Sequence, residues 1–284
     1  MYINAGPGQS GVPNKEKEKT FMEKASLIVG SFNLRTPGSN DPWPNDWRSR
    51  IPRIRKTCAG AGFHVWGAQE TIDFYDEPLC RDTPYRSIGC GRCEKADGEA
   101  CHIYYDAVRL APLRTETFWL TATPERYSII PGATYPRIAV AAVFLDRETG
   151  THFIFCTTHL EHRAKELQLG QMEYLFAHLE RTFPALPLIL TGDFNAFPGA
   201  PAVAYTASKL RDARTLSETP VSYDGPTYHG YEPDPDKRKH PAPIDYIFVS
   251  EHIRVKSFEV IDDFGAAKRA SSDHFPLRAE AVLP

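Results

Sequence analysis

Short apolar stretches bounded by turn-forming residues set the pattern of this chain. Ser26–Asn33, His102–Tyr105, Arg137–Leu145, His152–Thr158, Leu186–Thr191 and Ile244–Ser250 are each dominated by aliphatic, β-branched or aromatic residues. Runs of this length and composition predict strands. Arg137–Leu145 and His152–Thr158 flank Asp146-Arg-Glu-Thr-Gly150, which reads as a hairpin turn. Two segments carry helical spacing instead. Ile51, Ile54 and Cys58 recur on one face, with Gly60 and Gly62 as a stop. Met172, Leu175, Phe176, Leu179 and Phe183 form a second apolar face that ends at Pro184.

Strands outnumber helices, and the helices are interspersed among them. This order predicts two sheets packed face to face with helices outside. Residues 40–45 and 231–243 are polar and Pro-rich, and read as loops. No repeat and no long Gly/Ser linker divides the chain, so residues 25–284 read as one domain. Residues 1–24 are rich in Gly, Pro, Asn, Lys and Glu, and read as a flexible leader. They lack the apolar core of a secretory signal, so a cytoplasmic location is expected, with secretion left open.

Bulk composition narrows the function classes. The chain has 284 residues, 42% hydrophobic and 24% charged, the balance of an ordinary globular protein. Its net charge of −3 argues against a broad nucleic-acid-coating surface. No stretch reaches the roughly 18 apolar residues of a membrane span. Cys90, Cys93, Cys101 and His102 form a run that partly resembles a zinc site, but the usual second paired half is missing. Cys58 and Cys156 sit inside predicted elements and read as core residues.

Polar residues sit at the ends of the predicted strands. Asn33 closes the first, Gln69 and Glu70 follow Phe63–Ala68, His159 closes Phe155–His159, and Asp193 and Asn195 close Leu188–Asn195. Asp245 opens a strand, and Asp273 and His274 precede Phe275–Leu277. Singly, each reads as a turn former or a structural histidine. Together they predict one cleft at the rim of a sandwich. Oxygen donors such as Glu70, Asp273 and Asn33 suit a hard cation, Mg²⁺ or Mn²⁺. Asp193 can orient a water, and His274 or His159 can stabilise or protonate phosphoryl oxygens. No nucleophile elbow or phosphate-binding glycine loop competes with this reading.

These segments resemble the endonuclease/exonuclease/phosphatase family. Ser31-Phe-Asn33, Gly67-Ala-Gln-Glu70, Thr158-His-Leu160, Thr191-Gly-Asp-Phe-Asn195, Ile244-Asp-Tyr-Ile-Phe248 and Ser272-Asp-His-Phe275 follow the family order across nearly the whole chain. The resemblance implies a four-layer α/β-sandwich of two mainly antiparallel sheets. It implies Glu70 as metal ligand with Asn33 and Asp273 beside it, and Asp193 activating water with Asn195 on the phosphate. It also implies His274 oriented by Asp245, and His159 across the scissile phosphate. Phe118–Pro124, Tyr135–Ile138 and Thr158–Arg163 are similar to a bacterial branch, which brings Arg137, Glu161, His162 and Arg163 toward substrate.

The expected activity is metal-dependent hydrolysis of a phosphodiester or phosphomonoester. The substrate would be a nucleic acid, nucleotide, sugar phosphate or inositol phosphate; no protein partner is inferred. The alternatives are a non-catalytic phosphate-binding module on the same fold and a zinc-dependent hydrolase. The basic run at Asp236–His240 reads first as a solvated face and second as a seat for a polyanion.

Overall fold

In the computed structural model, the described residues are 1–2, 25–37, 40–221 and 223–284; the expected leader falls largely outside them. Two six-stranded sheets face one another. The first holds β1 (Leu27–Asn33), β2 (Val65–Thr71), β3 (Tyr85–Gly91), β4 (Ala100–Asp106), β11 (Arg254–Val260) and β12 (Leu277–Val282), in the order β11-β12-β1-β2-β4-β3. The second holds β5 (Leu110–Trp119), β6 (Ile138–Asp146), β7 (His152–His159), β8 (Leu188–Asp193), β9 (Arg211–Asp212) and β10 (Asp245–Val249), in the order β5-β6-β7-β8-β10-β9.

Three apolar layers hold the sandwich together. Between the sheets lie Val29, Val65, Val140, Phe155 and Ile247. Helix α1 (Trp47–Ala61) closes over the first sheet through Ile54 and Cys58 against Trp66 and Tyr104. The short α2 (Asp76–Cys80) adds Leu79 to that layer. On the other side α3 (Gln168–Thr182) and α4 (Pro201–Ala207) set Met172, Leu175 and Val203 against Leu190 and Phe248. A one-turn helix, α5 (Ala213–Leu216), abuts β10 and β11. The four-layer α/β-sandwich expected from the sequence is therefore the fold. Among the described residues, no helix is long and apolar enough to cross a membrane.

Register decides where the polar strand ends go. Each sheet contains one parallel pair, β1 with β2 and β7 with β8, joined through α1 and α3 respectively. Parallel strands end on the same side, so Asn33 lies opposite Gln69, and His159 opposite Asp193. β10 runs antiparallel to β8 and starts there, with Asp245 opposite Asp193. β12 runs antiparallel to β1, which delivers the preceding Asp273 and His274 to the same rim. The two sheets also approach closely just below that rim. A Cβ on Gly67 of β2 would collide with the hydroxyls of Thr157 and Thr191 on the opposing sheet. Gln69 Nε2 bridges the same gap to Thr157 Oγ1 at 2.9 Å.

The strands that the sequence pattern did not reveal are β3, β5, β9, β11 and β12. Four of these are the sheet edges. Edge strands expose half or more of their side chains, which dilutes the apolar run that marks a central strand. β5 also carries Pro112 at an irregularity in its pairing. β12 alternates cleanly, but two of its three inward residues are Ala279 and Ala281, which weaken the signal. The predicted hairpin turn is real. Asp146 accepts hydrogen bonds from Glu148 N (3.1 Å) and Thr149 Oγ1 (3.1 Å), and takes Arg109 Nε (3.2 Å) and Nη2 (3.0 Å) in a fork.

Two stability predictions follow from this packing. Gly67→Ala should lower stability by about 1–3 kcal/mol in denaturant unfolding, because the new methyl has no room between the sheets. Asp146→Ala should cost roughly 1–3 kcal/mol at neutral pH, since the Arg109 guanidinium loses its buried fork and keeps only the exposed Glu148 at 3.0 Å. Burial opposes ionisation of Asp146, but the Arg109 and backbone hydrogen bonds outweigh it and hold its pKa below the ordinary carboxylate value. A depressed folded-state pKa gives stability that is present above about pH 4 and lost as pH falls through the folded value. The gap between Asp146→Ala and the native chain should therefore narrow in acid unfolding series below about pH 4.

Candidate active site

The rim positions converge on a cleft of about 330 Å³ lined in part by Glu70, His159, Asp193, Asn195, Asp273 and His274. Asp193 is its centre. This carboxylate is almost fully buried, and its Oδ1 accepts the Asn195 backbone N–H at 2.8 Å. Its Oδ2 accepts Asn33 Nδ2 at 3.0 Å and lies 3.6 Å from His159 Nε2 and 3.8 Å from His274 Nε2. Burial alone would raise its pKa. The two histidines, the Asn195 N–H and Asn33 together hold it below the ordinary value.

Each histidine has its own carboxylate behind it. His274 Nδ1 donates to Asp245 Oδ2 at 2.9 Å, and Thr227 Oγ1 donates to the same oxygen at 2.5 Å. Burial of the ring disfavours its charge, but Asp245, Asp193 and Asp273 outweigh burial and push its pKa up to about 10. His159 Nδ1 faces Glu99 Oε1 at 3.6 Å, and Glu99 also accepts Arg92 Nη1 at 2.5 Å. Burial would raise the Glu99 pKa; His159, Arg92 and Arg137 bring it down to about 2. Asn195 Nδ2 donates to His159 Nε2 at 2.9 Å, so the hydrogen-bond pattern assigns the ring proton to Nδ1, toward Glu99.

Glu70 is aimed by the backbone. It sits at a break in the β2–β4 register with φ 55°, in the left-handed region. A bulge of this kind turns one side chain out of the strand alternation. Asn33 Nδ2 (3.0 Å) and Thr36 N (2.9 Å) then hold its two oxygens. Asn33 has its amide nitrogen toward Glu70 and Asp193 and its oxygen toward Arg35 N at 2.9 Å, so it bridges the two carboxylates as a donor. Asp273 lies across from Glu70, 3.4 Å from Arg35 Nη1. Burial and the Glu70 charge push its pKa up.

Behind this acidic wall stands Arg50, wholly buried on α1. It donates to the carbonyls of Leu34 (2.5 Å), Arg35 (2.7 Å), Asn45 (2.8 Å) and Ser271 (3.2 Å), and to Tyr75 Oη at 3.3 Å. One side chain thereby joins the loop after Asn33 to the loop before Asp273.

The structure brings together Asn33, Glu70, His159, Asp193, Asn195, Asp245, Asp273 and His274. Arg137 and His162 form a further wall, with Arg137 Nη2 2.8 Å from His162 Nδ1 and Tyr135 stacked on the His162 ring at 6.2 Å. Arg163 is not brought in: its side chain is exposed and lies outside the cleft lining. Glu161 is buried, and its Oε1 accepts the N–H groups of His162 (3.0 Å) and Arg163 (2.9 Å). Arg35, Arg92, Glu99 and Tyr228 line the cleft without having been singled out from the sequence as site residues. Arg92 and Glu99 flank the turn between β3 and β4, and only a recognised β3 would have paired them.

The cysteines gather no metal site. Cys90 lies opposite Cys101 across β3 and β4, all six are free, and no metal-capable group among the described residues includes a cysteine. The groups that are assembled are Glu70, His159 and Asp193, and Asp193, Asp245 and His274. Of the basic run, Lys237 pairs with Asp234 at 3.0 Å and Arg238 packs over Phe275 at 4.9 Å, while His240 at its end lines the cleft.

Comparison with known proteins agrees with this geometry. Residues 30–274 match the model of the endonuclease/exonuclease/phosphatase family. A family member from Bacteroides thetaiotaomicron superposes with a TM-score of 0.84 at 28% identity, covering 92% of this chain and 99% of its own. A mannosyl-6-phosphatase from the same organism superposes at 0.80 and 28% identity, covering 91% and 100%. The human Nocturnin catalytic domain shares the fold at 0.71 and 21% identity, covering 92% and 96%. A search of curated proteins by sequence finds no match. The chain belongs to the endonuclease/exonuclease/phosphatase family.

Proposed function

We propose that this protein is a divalent-metal-dependent phosphoesterase acting by in-line attack of water. The observation that carries the reading is Asp193, an ionised carboxylate held between two histidines that each have an acidic partner. Such an arrangement orients a water and sets an imidazole on each of two sides of one phosphate.

The donor set fits a hard cation. Glu70 and Asp273 offer carboxylate oxygens on one wall, and oxygen donors favour Mg²⁺ or Mn²⁺ over softer metals. Asn33, expected beside them as a ligand, turns its amide nitrogen to Glu70 and Asp193 and its oxygen to Arg35 N, so it holds the carboxylates in place instead. A cation there would withdraw charge from a non-bridging phosphate oxygen. The chain's own residues account for the rest. Asp193 accepts the proton of the attacking water as its oxygen bonds to phosphorus. His274, kept charged by Asp245, and His159, held by Glu99, sit against the remaining oxygens. The bond to the leaving oxygen breaks, and that oxygen takes up a proton. Asn195 and Arg137 hold the phosphate, with His162 beside Arg137.

A small phosphomonoester is the substrate class this site favours. The cleft volume of about 330 Å³ suits a sugar-sized ester better than a polymer track, and the −3 net charge gives no broad basic surface. The 28%-identical neighbour described as a mannosyl-6-phosphatase points the same way.

The test is hydrolysis of p-nitrophenyl phosphate, bis-p-nitrophenyl phosphate and a panel of sugar phosphates. Chelation should stop release, and added Mg²⁺ or Mn²⁺ should restore it. Asp193→Ala and His274→Ala should each lower kcat by about 10²–10⁴-fold while unfolding stays cooperative, since both sit at the rim. Near-native turnover by Asp193→Ala would remove the central assignment. Faster release from the diester would move the substrate class to phosphodiesters.

A further inference from the structure

The first turn of α3 carries two buried glutamines, Gln168 and Gln171. The Gln168 amide nitrogen lies within hydrogen-bonding distance of three backbone carbonyls: Glu161 (2.6 Å), Phe194 (3.1 Å) and Asn195 (3.0 Å). Gln171 Oε1 accepts the Glu161 N–H at 2.9 Å. These carbonyls belong to two separate loops. One leaves β7 after His159, and the other leaves β8 after Asp193. A single side chain from the helix that connects the two strands therefore ties their exits together.

The segment tied down is strained. Asn195 holds φ 50°, a left-handed conformation for a side-chain-bearing residue. Conformations of this kind persist only where the surroundings over-determine them. Gln168 and the Lys165 ammonium both donate to the Asn195 carbonyl. With its backbone fixed in this way, Asn195 aims Nδ2 at His159 Nε2 (2.9 Å) and Leu160 O (3.1 Å). Its N–H meets Asp193 Oδ1. The strain at Asn195, the spacing to His159 and one oxygen of Asp193 thus all pass through the loop that Gln168 grips.

We infer that Gln168 is a positioning residue that acts through Asn195, fixing the gap between the β7 and β8 exits across which the phosphate binds. It touches neither substrate nor reacting atoms. This inference rests on the reading of Asn195 as a phosphate contact.

The experiment is a double-substitution cycle on the full chain with Gln168→Met and Asn195→Ala, using the best substrate of the panel above. Methionine keeps the reach of glutamine and removes both donors. Gln168→Met should lower kcat about 10- to 100-fold with KM little changed. The combined variant should be no slower than Asn195→Ala alone, because both changes remove the same alignment. Losses that multiply would show independent roles and overturn the inference. A second readout needs no turnover: the Asn195 side-chain amide and His159 ring nitrogen resonances should move or broaden in Gln168→Met. Unmoved resonances overturn the inference. If the native chain hydrolyses nothing, the phosphoesterase reading falls by itself, and the resonances alone decide the role of Gln168.

Discussion

Everything at the rim depends on two parallel strand pairings. Most neighbours in this sandwich are antiparallel, and antiparallel strands send their ends in opposite directions. The β1–β2 and β7–β8 pairs break that rule once in each sheet. Each puts two C-terminal strand ends side by side, and each needs a helix to carry the chain back. Asn33, Glu70, His159 and Asp193 follow from that choice. Asp245, Asp273 and His274 then arrive on strands that run the other way and begin where the parallel strands stop. The site is thus a property of topology before it is a property of any side chain.

Concentrating Glu70, Asp193, Asp245 and Asp273 at one rim is electrostatically costly, and the protein answers with fixed donors. Arg50 is the clearest case: a fully buried guanidinium whose partners are four carbonyls and a tyrosine. A buried ion is tolerated when its hydrogen-bonding capacity is met. Its positive charge lies behind the acidic wall and helps lower the Asp273 pKa against burial. Asn33 does the same work as a neutral group, placing one amide between two carboxylates. Gln168 and Arg50 are counterparts, each rising from the first or second turn of a crossover helix to hold the loops its own strands end in.

How much of this was readable beforehand depended on burial. Central strands such as β6 and β7 are buried on both faces, so they appear as continuous apolar runs. The edge strands β3, β5 and β11 face water and carry no continuous apolar run. The same filter acted on the site. His159, Asp193 and His274 are legible because each ends or adjoins an apolar run. Glu99 is not, because it lies in the polar turn beside a strand that the pattern hides. Arg163 is the reverse case: the Glu161 carboxylate accepts the N–H groups of His162 and Arg163 alike, yet His162 lines the cleft while the Arg163 side chain turns outward. Local sequence order cannot distinguish those directions, since one loop residue changes the sign. The cysteine run was chemically suggestive, but β-pairing sets Cys90 against Cys101, and among the described residues no metal-capable group includes a cysteine.

Glu70 shows what a backbone-aimed ligand means for change over time. Its direction comes from a left-handed residue at a bulge, a conformation costing on the order of 1–3 kcal/mol that the surrounding sheet absorbs. The aim therefore belongs to the position and outlasts the residue that fills it. A drifting lineage could exchange the donor at this point for Asp or Asn and still face the same spot. Val, Ile and Thr are closed to it, because branched side chains resist that backbone. Within the fold, residue 70 is a socket whose direction is inherited and whose chemistry is open to a short list of replacements.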